Sequence, residues 1–81
     1  GTIIEHDTII ENHAFIGPGC NLAGRVRIQK KAFLGINVTV IPDKIIGERS
    51  VVGAGAVVIH NIERDTTVVG VPARRITEEK S

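Results

Sequence analysis

An aliphatic residue recurs every six positions along this chain. Stepping from Ile4 gives Ile10, Ile16, Leu22, Ile28, Leu34, Val40, Ile46, Val52 and Val58, ten aliphatic positions without a break. Four places after each stands a second recurring position: Thr8, Ala14, Cys20, Val26, Ala32, Val38, Lys44, Ser50, Ala56 and Ile62, mostly small. A period of two marks a half-buried strand and one of 3.6 an amphipathic helix. Six fits neither. It fits a short strand followed by a tight corner, with the aliphatic filling the inside of a coil and the small residue fitting where the corner narrows. Coils stacked in this way place like residues on like, and short repeats of this length build parallel β-helices.

The pattern predicts coils over about 4–21, 22–39 and 40–57, then a terminal strand and cap after Val58. It breaks at Lys44, where the preceding Pro42-Asp43 predicts a bulged turn. It ends at Ile62, so the repeats run over about 4–62 and the cap and tail over 63–81. The polar tail Thr77 to Ser81 is expected to fray.

Composition agrees with strands and corners. Ile and Val together number 23 and Leu only two, with nine Gly; β-branched side chains favour pleated surfaces over helices. At 81 residues the chain is short for a self-sufficient core, which points to an oligomer or to part of something longer. It begins with Gly1 rather than Met, which fits a piece of a longer chain.

Charge and aromatics exclude several functions. Ten Lys+Arg stand against nine Asp+Glu, so no basic excess exists to neutralise a nucleic-acid backbone. The only aromatic residues are Phe15 and Phe33, too few for base-stacking platforms. The longest apolar stretch, Val51 to Ile59, is about half of the ~20 residues that span a bilayer. One cysteine, Cys20, forms neither an internal disulfide nor a Cys-based zinc site. It fits a reducing, cytoplasmic setting. Its place at a small inward position marks it as packing rather than as a nucleophile.

The strings IEHDTIIENHAFIGPG, FLGIN, VVGAGAVV and VGVPARR, in that order, resemble the hexapeptide-repeat acyltransferase superfamily. Within it they are most similar to the C-terminal domain of the sialic-acid O-acetyltransferase and UDP-amino-sugar N-acetyltransferase family. The resemblance covers roughly residues 2 to 76. It implies an all-β fold, a left-handed parallel β-helix of about three coils with a short cap. It also implies a homotrimer with the active site between subunits, acetyl-CoA as co-substrate, a sugar-type acceptor and no metal. An N-terminal α/β domain that binds the sugar nucleotide in that family is absent from these residues.

The resemblance assigns roles residue by residue. His6 matches the general base, which takes a proton from the attacking amine or hydroxyl; an imidazole titrates near neutral pH and suits that task. Asp7 matches the acidic partner that holds the ring's tautomer, although the family usually has Glu there. Gly24 matches the residue whose backbone N–H faces the thioester carbonyl. Ile36 and Ala54 match positions along the pantetheine arm. Gly70, Val71, Pro72 and Arg74 (or Arg75) match the strip beside the nucleotide end of CoA. Phe15 stands where many members carry a second histidine. It is expected beside the pantetheine cleft or in an interface, with His13 as a residue approaching from the same strand face.

Plainer readings stand beside these. His6 can be a solvated surface histidine and Gly24 a corner glycine. Arg25, Arg27, Lys30 and Lys31 can attract a polyanion or simply form a solvated face. Two other functions remain open: a non-catalytic trimeric β-helix module, and a carbonic anhydrase on the same fold using His6, His13 and His60. His60 has no matching motif.

Overall fold

The computed structural model describes residues 1–76, so the expectation for Thr77 to Ser81 lies outside the described residues. The chain winds as a triangular prism. The first coil holds β1 (Ile3–Ile4), β2 (Ile9–Ile10) and β3 (Phe15–Ile16); the second holds β4 (Asn21–Leu22), β5 (Arg27–Ile28) and β6 (Phe33–Leu34). The third holds β7 (Thr39–Val40), β8 (Ile45–Ile46) and β9 (Val51–Val52). Then come β10 (Val57–Val58), a single bridging residue at Ile62, and β11 (Thr67–Val69).

Like strands stack in parallel into three walls. The first wall is β1-β4-β7-β10 and the second is β2-β5-β8, extended by Ile62 on Ile46. The third is β3-β6-β9-β11, edged by the antiparallel β12 (Arg74–Arg75). Through the first three coils the register is eighteen residues, as in Ile4↔Leu22, Ile28↔Ile46 and Leu34↔Val52. The aliphatic stack is the core: Leu22, Ile28, Leu34, Ile46, Val52 and Val58 are fully buried, each worth about 1.5–3 kcal/mol relative to exposure. The small positions Cys20, Ala32, Ser50 and Ala56 are buried with them. In the first coil Ile4 and Ile10 stay exposed, because only one neighbouring coil covers them.

Each regular corner is a two-residue turn whose second residue has positive φ. These are Asp7, His13, Gly19, Arg25, Lys31, Asn37, Asp43, Arg49, Gly55 and Asp65. Hydrogen bonds from Ala32 N to Gln29 O and from Ala56 N to Gly53 O close the turns at 3.2 Å. Positive φ at the third turn position is the mark of a type II turn, and Asn, Asp and Gly tolerate it best. Asp43 is one of the regular set, and Ile45 and Ile46 keep register with Arg27 and Ile28. The bulge expected near Lys44 is therefore absent: Pro42 and Asp43 are ordinary residues for the two turn positions.

The coil also runs past Ile62. Its fourth turn is shortened by two residues, so Ile62 pairs with Ile46 and Val68 with Val52, each sixteen apart. From Ile62 to Val68 the six-residue step resumes. Asn61 makes the shortcut possible. Its Oδ1 accepts from Ile45 N at 2.9 Å, while Ile62 N donates to Ile45 O at 2.9 Å. The repeats thus make four coils rather than three, and the cap is limited to the hairpin after Val69.

The regular corner after Ile62, Glu63-Arg64, presses its backbone onto Gly47. A Cβ there would fall 2.5 Å from Glu63 C and closer still to Arg64 N. Overpacking against backbone that cannot swing away costs typically about 1–3 kcal/mol. Gly47→Ala is expected to lower the urea midpoint at unchanged slope; a midpoint equal to the parent's would show that this corner yields freely.

Candidate active site

The first corner column, between the first and second walls, carries His6-Asp7, Gly24-Arg25 and Pro42-Asp43, one pair per coil. Stacking is direct. Arg25 N donates to His6 O at 3.1 Å, and Asp43 N donates to Gly24 O at 3.1 Å. The structure therefore brings His6, Asp7 and Gly24 together on one corner. The His6 side chain is 92% exposed and buries nothing. Its Nε2 lies 3.2 Å from Asp7 Oδ2, an ion-pair distance when the ring is protonated.

The free backbone N–H groups are chemically informative. At the first turn position the N–H of Gly24, Ile36 and Ala54 has no acceptor among the described residues. Pro18 and Pro42 occupy the same position, where a missing N–H costs no hydrogen bond. Each such corner thus offers an outward donor unless proline removes it. Ile36 and Ala54 stack in the column between the third and first walls, with Gly55 N donating to Ile36 O at 2.8 Å. Gly70 continues that column, accepting from Val57 N at 3.1 Å, and Ala73 N donates to Val57 O at 2.8 Å. Val71 is exposed and Pro72 half-buried in this turn, whose Val71–Pro72 bond is cis. Arg74 leads out of it in β12, paired with Val69.

The candidate residues therefore fall on separate parts of one prism. His6, Asp7 and Gly24 share one corner; Ile36, Ala54 and Gly70 share another. Phe15 lies on the third wall, opposite the corner that bears His6. There it stacks on Phe33, ring centroids 4.9 Å apart and planes 13° apart, and both rings are half exposed. His13 is not on the strand face of Phe15. It is the positive-φ residue of the preceding corner, so the two-residue offset spans a turn and the expected common face is lost.

The basic cluster also divides. Arg25 is held by Asp43, Nε to Oδ1 at 2.5 Å and Nη2 to Oδ2 at 3.0 Å. This hydrogen-bonded pair, with its Coulombic attraction, pushes the guanidinium up and the Asp43 carboxyl below its ordinary range. Arg27 faces Glu11 at 3.3 Å on the second wall, and Lys30-Lys31 form a different corner. Sequence reasoning missed the Arg25–Asp43 clamp. Part of its signal was present, since opposite charges at the same turn position one coil apart stand within reach of each other. Arg49 and Asp65 repeat the clamp at 2.8 and 3.1 Å across the shortened coil.

Cys20 is buried, with Sγ 3.1 Å from Gly35 O. Among the described residues no three His, Cys, Asp or Glu groups gather as metal ligands. His6, His13 and His60 stand on different corners or coils. A cavity of about 240 Å³ beside His60, Glu63 and Arg75 lies in the last coil, away from His6 and Gly24. No helix among the described residues is long and apolar enough to cross a membrane.

Known proteins share this architecture. Perosamine N-acetyltransferase from Caulobacter crescentus, solved as a histidine-to-asparagine mutant with CoA and GDP-perosamine, superposes with a TM-score of 0.95 at 35% identity. That match covers 96% of this chain and 37% of the other. WeeI from Acinetobacter baumannii superposes with a TM-score of 0.88 at 31% identity, covering 93% of this chain and 38% of its own. Serine acetyltransferase of Buchnera aphidicola (subsp. Schizaphis graminum) is 34% identical over the whole chain, which is 32% of its length. No family model matches the chain.

The six-residue period, the three-walled prism and these likenesses agree: the chain belongs to the hexapeptide-repeat acyltransferase superfamily, and its coil is the left-handed parallel β-helix of that group. Within the superfamily it is similar to sugar and serine acetyltransferases. It spans between about a seventh and two fifths of the length of the curated relatives it matches.

Proposed function

We propose that this chain is the acetyl-CoA-using part of an acetyltransferase that acts on an amine or hydroxyl of a sugar, a sugar nucleotide or a sialic-acid-type acceptor. The observation that carries this reading is the placing of His6 directly above Gly24, whose N–H is free, on one corner of the prism. Bound acetyl-CoA would supply the activated acetyl group. His6 would accept the acceptor's proton at Nδ1 while Asp7 holds Nε2–H, and the Gly24 N–H would hold the thioester carbonyl oxygen as charge builds on it. The free N–H groups of Ile36 and Ala54 would fix the pantetheine arm, and Gly70, Val71, Pro72 and Arg74 the nucleotide end. Arg74 suits a phosphate through charge-assisted hydrogen bonds.

The division of these residues between two corners supports a homotrimer. A cleft containing both groups forms when one copy's His6 corner faces another copy's Ile36 and Ala54 corner. The exposed Phe15, Phe33 and Val51 give the third wall an apolar face to bury in such a contact, and cyclic symmetry would close it. Phe15 then belongs to the cleft wall or the interface rather than to proton transfer. The buried free Cys20 suits a cytoplasmic enzyme.

Acetyl-CoA binding by calorimetry, with release of free CoA thiol when GDP-perosamine or sialic acid is added, tests the reading. Saturable binding and acceptor-dependent thiol release are expected. A trimer that binds no CoA at millimolar concentration would instead identify a structural module.

A further inference from the structure

Arg25 has two carboxylates within its column. Asp7, Arg25 and Asp43 occupy the same turn position in successive coils, all with positive φ near 60°. Coils stack at about 4.7–4.9 Å, so Arg25 has Asp7 one coil above and Asp43 one coil below. A guanidinium can grip one carboxylate side-on, as a fork. In the structure it grips Asp43 through both Nε and Nη2. Asp7 is left to the imidazole of His6, at 3.2 Å. Asp7 nonetheless acts on Arg25, adding to the attraction that raises the guanidinium's pKa. The other clamp offers a contrast. Above Arg49 in its column stands Lys31, not a carboxylate, so Arg49 has Asp65 in the coil below and the adjacent Glu48, but no competing partner above.

We propose that Asp43 is a positioning residue that acts through Arg25: by holding the guanidinium one coil below, it keeps Arg25 off Asp7 and leaves the Asp7 carboxylate to orient the His6 ring. The catalytic meaning of this rests on the reading of His6 as base; the placement itself does not. An exposed ion pair confers little stability, so two hydrogen bonds spent on Asp43 matter here for where they keep the guanidinium. If Asp43 loses its charge, Arg25 is free to turn to Asp7, and the ring loses the acceptor that fixes its tautomer.

The test is a reversal by a second mutation. Nitrogen NMR of the His6 ring, on the chain without substrate, reports which ring nitrogen carries the proton and how fast that proton exchanges with water. In D43N the exchange at Nε2 is expected to rise roughly two- to fivefold, the modest range suited to an exposed pair. In R25Q and in the double variant R25Q/D43N the ring is expected to return to the parent's signature, because no guanidinium competes for Asp7. Thiol release from acetyl-CoA with GDP-perosamine as acceptor should follow the same order, with the KM for acetyl-CoA unchanged. An unaltered ring in D43N overturns the proposal. So does a double variant as disturbed as D43N, since that would mark the clamp as merely structural. The ring signature needs no acetyl transfer, so a failed enzymatic reading and a failed positioning argument give different results.

Discussion

Replacing His6 with asparagine is expected to slow acetyl transfer by about 10²–10⁴-fold, the usual contribution of a positioned general base, while leaving the prism intact. The His6 side chain packs against nothing that would collapse on its loss, being 92% exposed. Its backbone carbonyl, which Arg25 N holds, survives the change. No second imidazole can substitute within the chain, because His13 sits on the next corner of the same coil and His60 in the last coil. The KM for acetyl-CoA should barely move, since asparagine removes proton transfer rather than binding. Steady-state rates with acetyl-CoA and a sugar acceptor decide it; an undiminished kcat would return His6 to the status of a surface side chain.

Gly24→Pro should separate fold from chemistry more sharply. Proline already occupies the same turn position in the first coil (Pro18) and the third (Pro42). Gly24 is also not among the positive-φ residues, so the fixed proline φ suits it. The melting temperature should therefore change little. Proline nevertheless deletes the one N–H that this corner offers beside His6, and losing such a donor costs about 10²–10³-fold in kcat. Gly24→Ala keeps that N–H. Its Cβ would lie 3.4 Å from His6 O, a tight contact that a small shift relieves, so its rate should stay near the parent's. If the proline and alanine variants turn over equally fast, the Gly24 amide plays no part in the reaction.

Both variants draw on a regularity that the sequence displays openly. Residues eighteen apart share a corner, so His6 above Gly24 could be read by counting, and so could Arg25 above Asp43. The roles of Ile36 and Ala54 came from resemblance, and the structure adds the physical feature they share with Gly24: an N–H left over by the turn. The reading of His13 and Phe15 as one strand face went wrong because it treated a six-residue repeat as continuous strand. Only two residues of each six are extended, and the side-chain alternation resets at every corner.

The fourth coil was lost for a related reason. Counting in a fixed phase from Ile4 passes through Val58 and then falls out of step, since the chain omits two residues before Ile62. The period is intact from Ile62 to Val68, but the phase shift can be recognised only where Asn61 Oδ1 is seen bonding to Ile45 N.

The sequence by itself determined the β-helix, its core stack and its corners, because burial at a fixed interval is a local pattern that one coil imposes on the next. What only the tertiary structure decided was where the coil ends and which charged group each side chain chooses. Those depend on backbone and side-chain atoms meeting across coils, and a period cannot say which of two equally spaced carboxylates a guanidinium will hold.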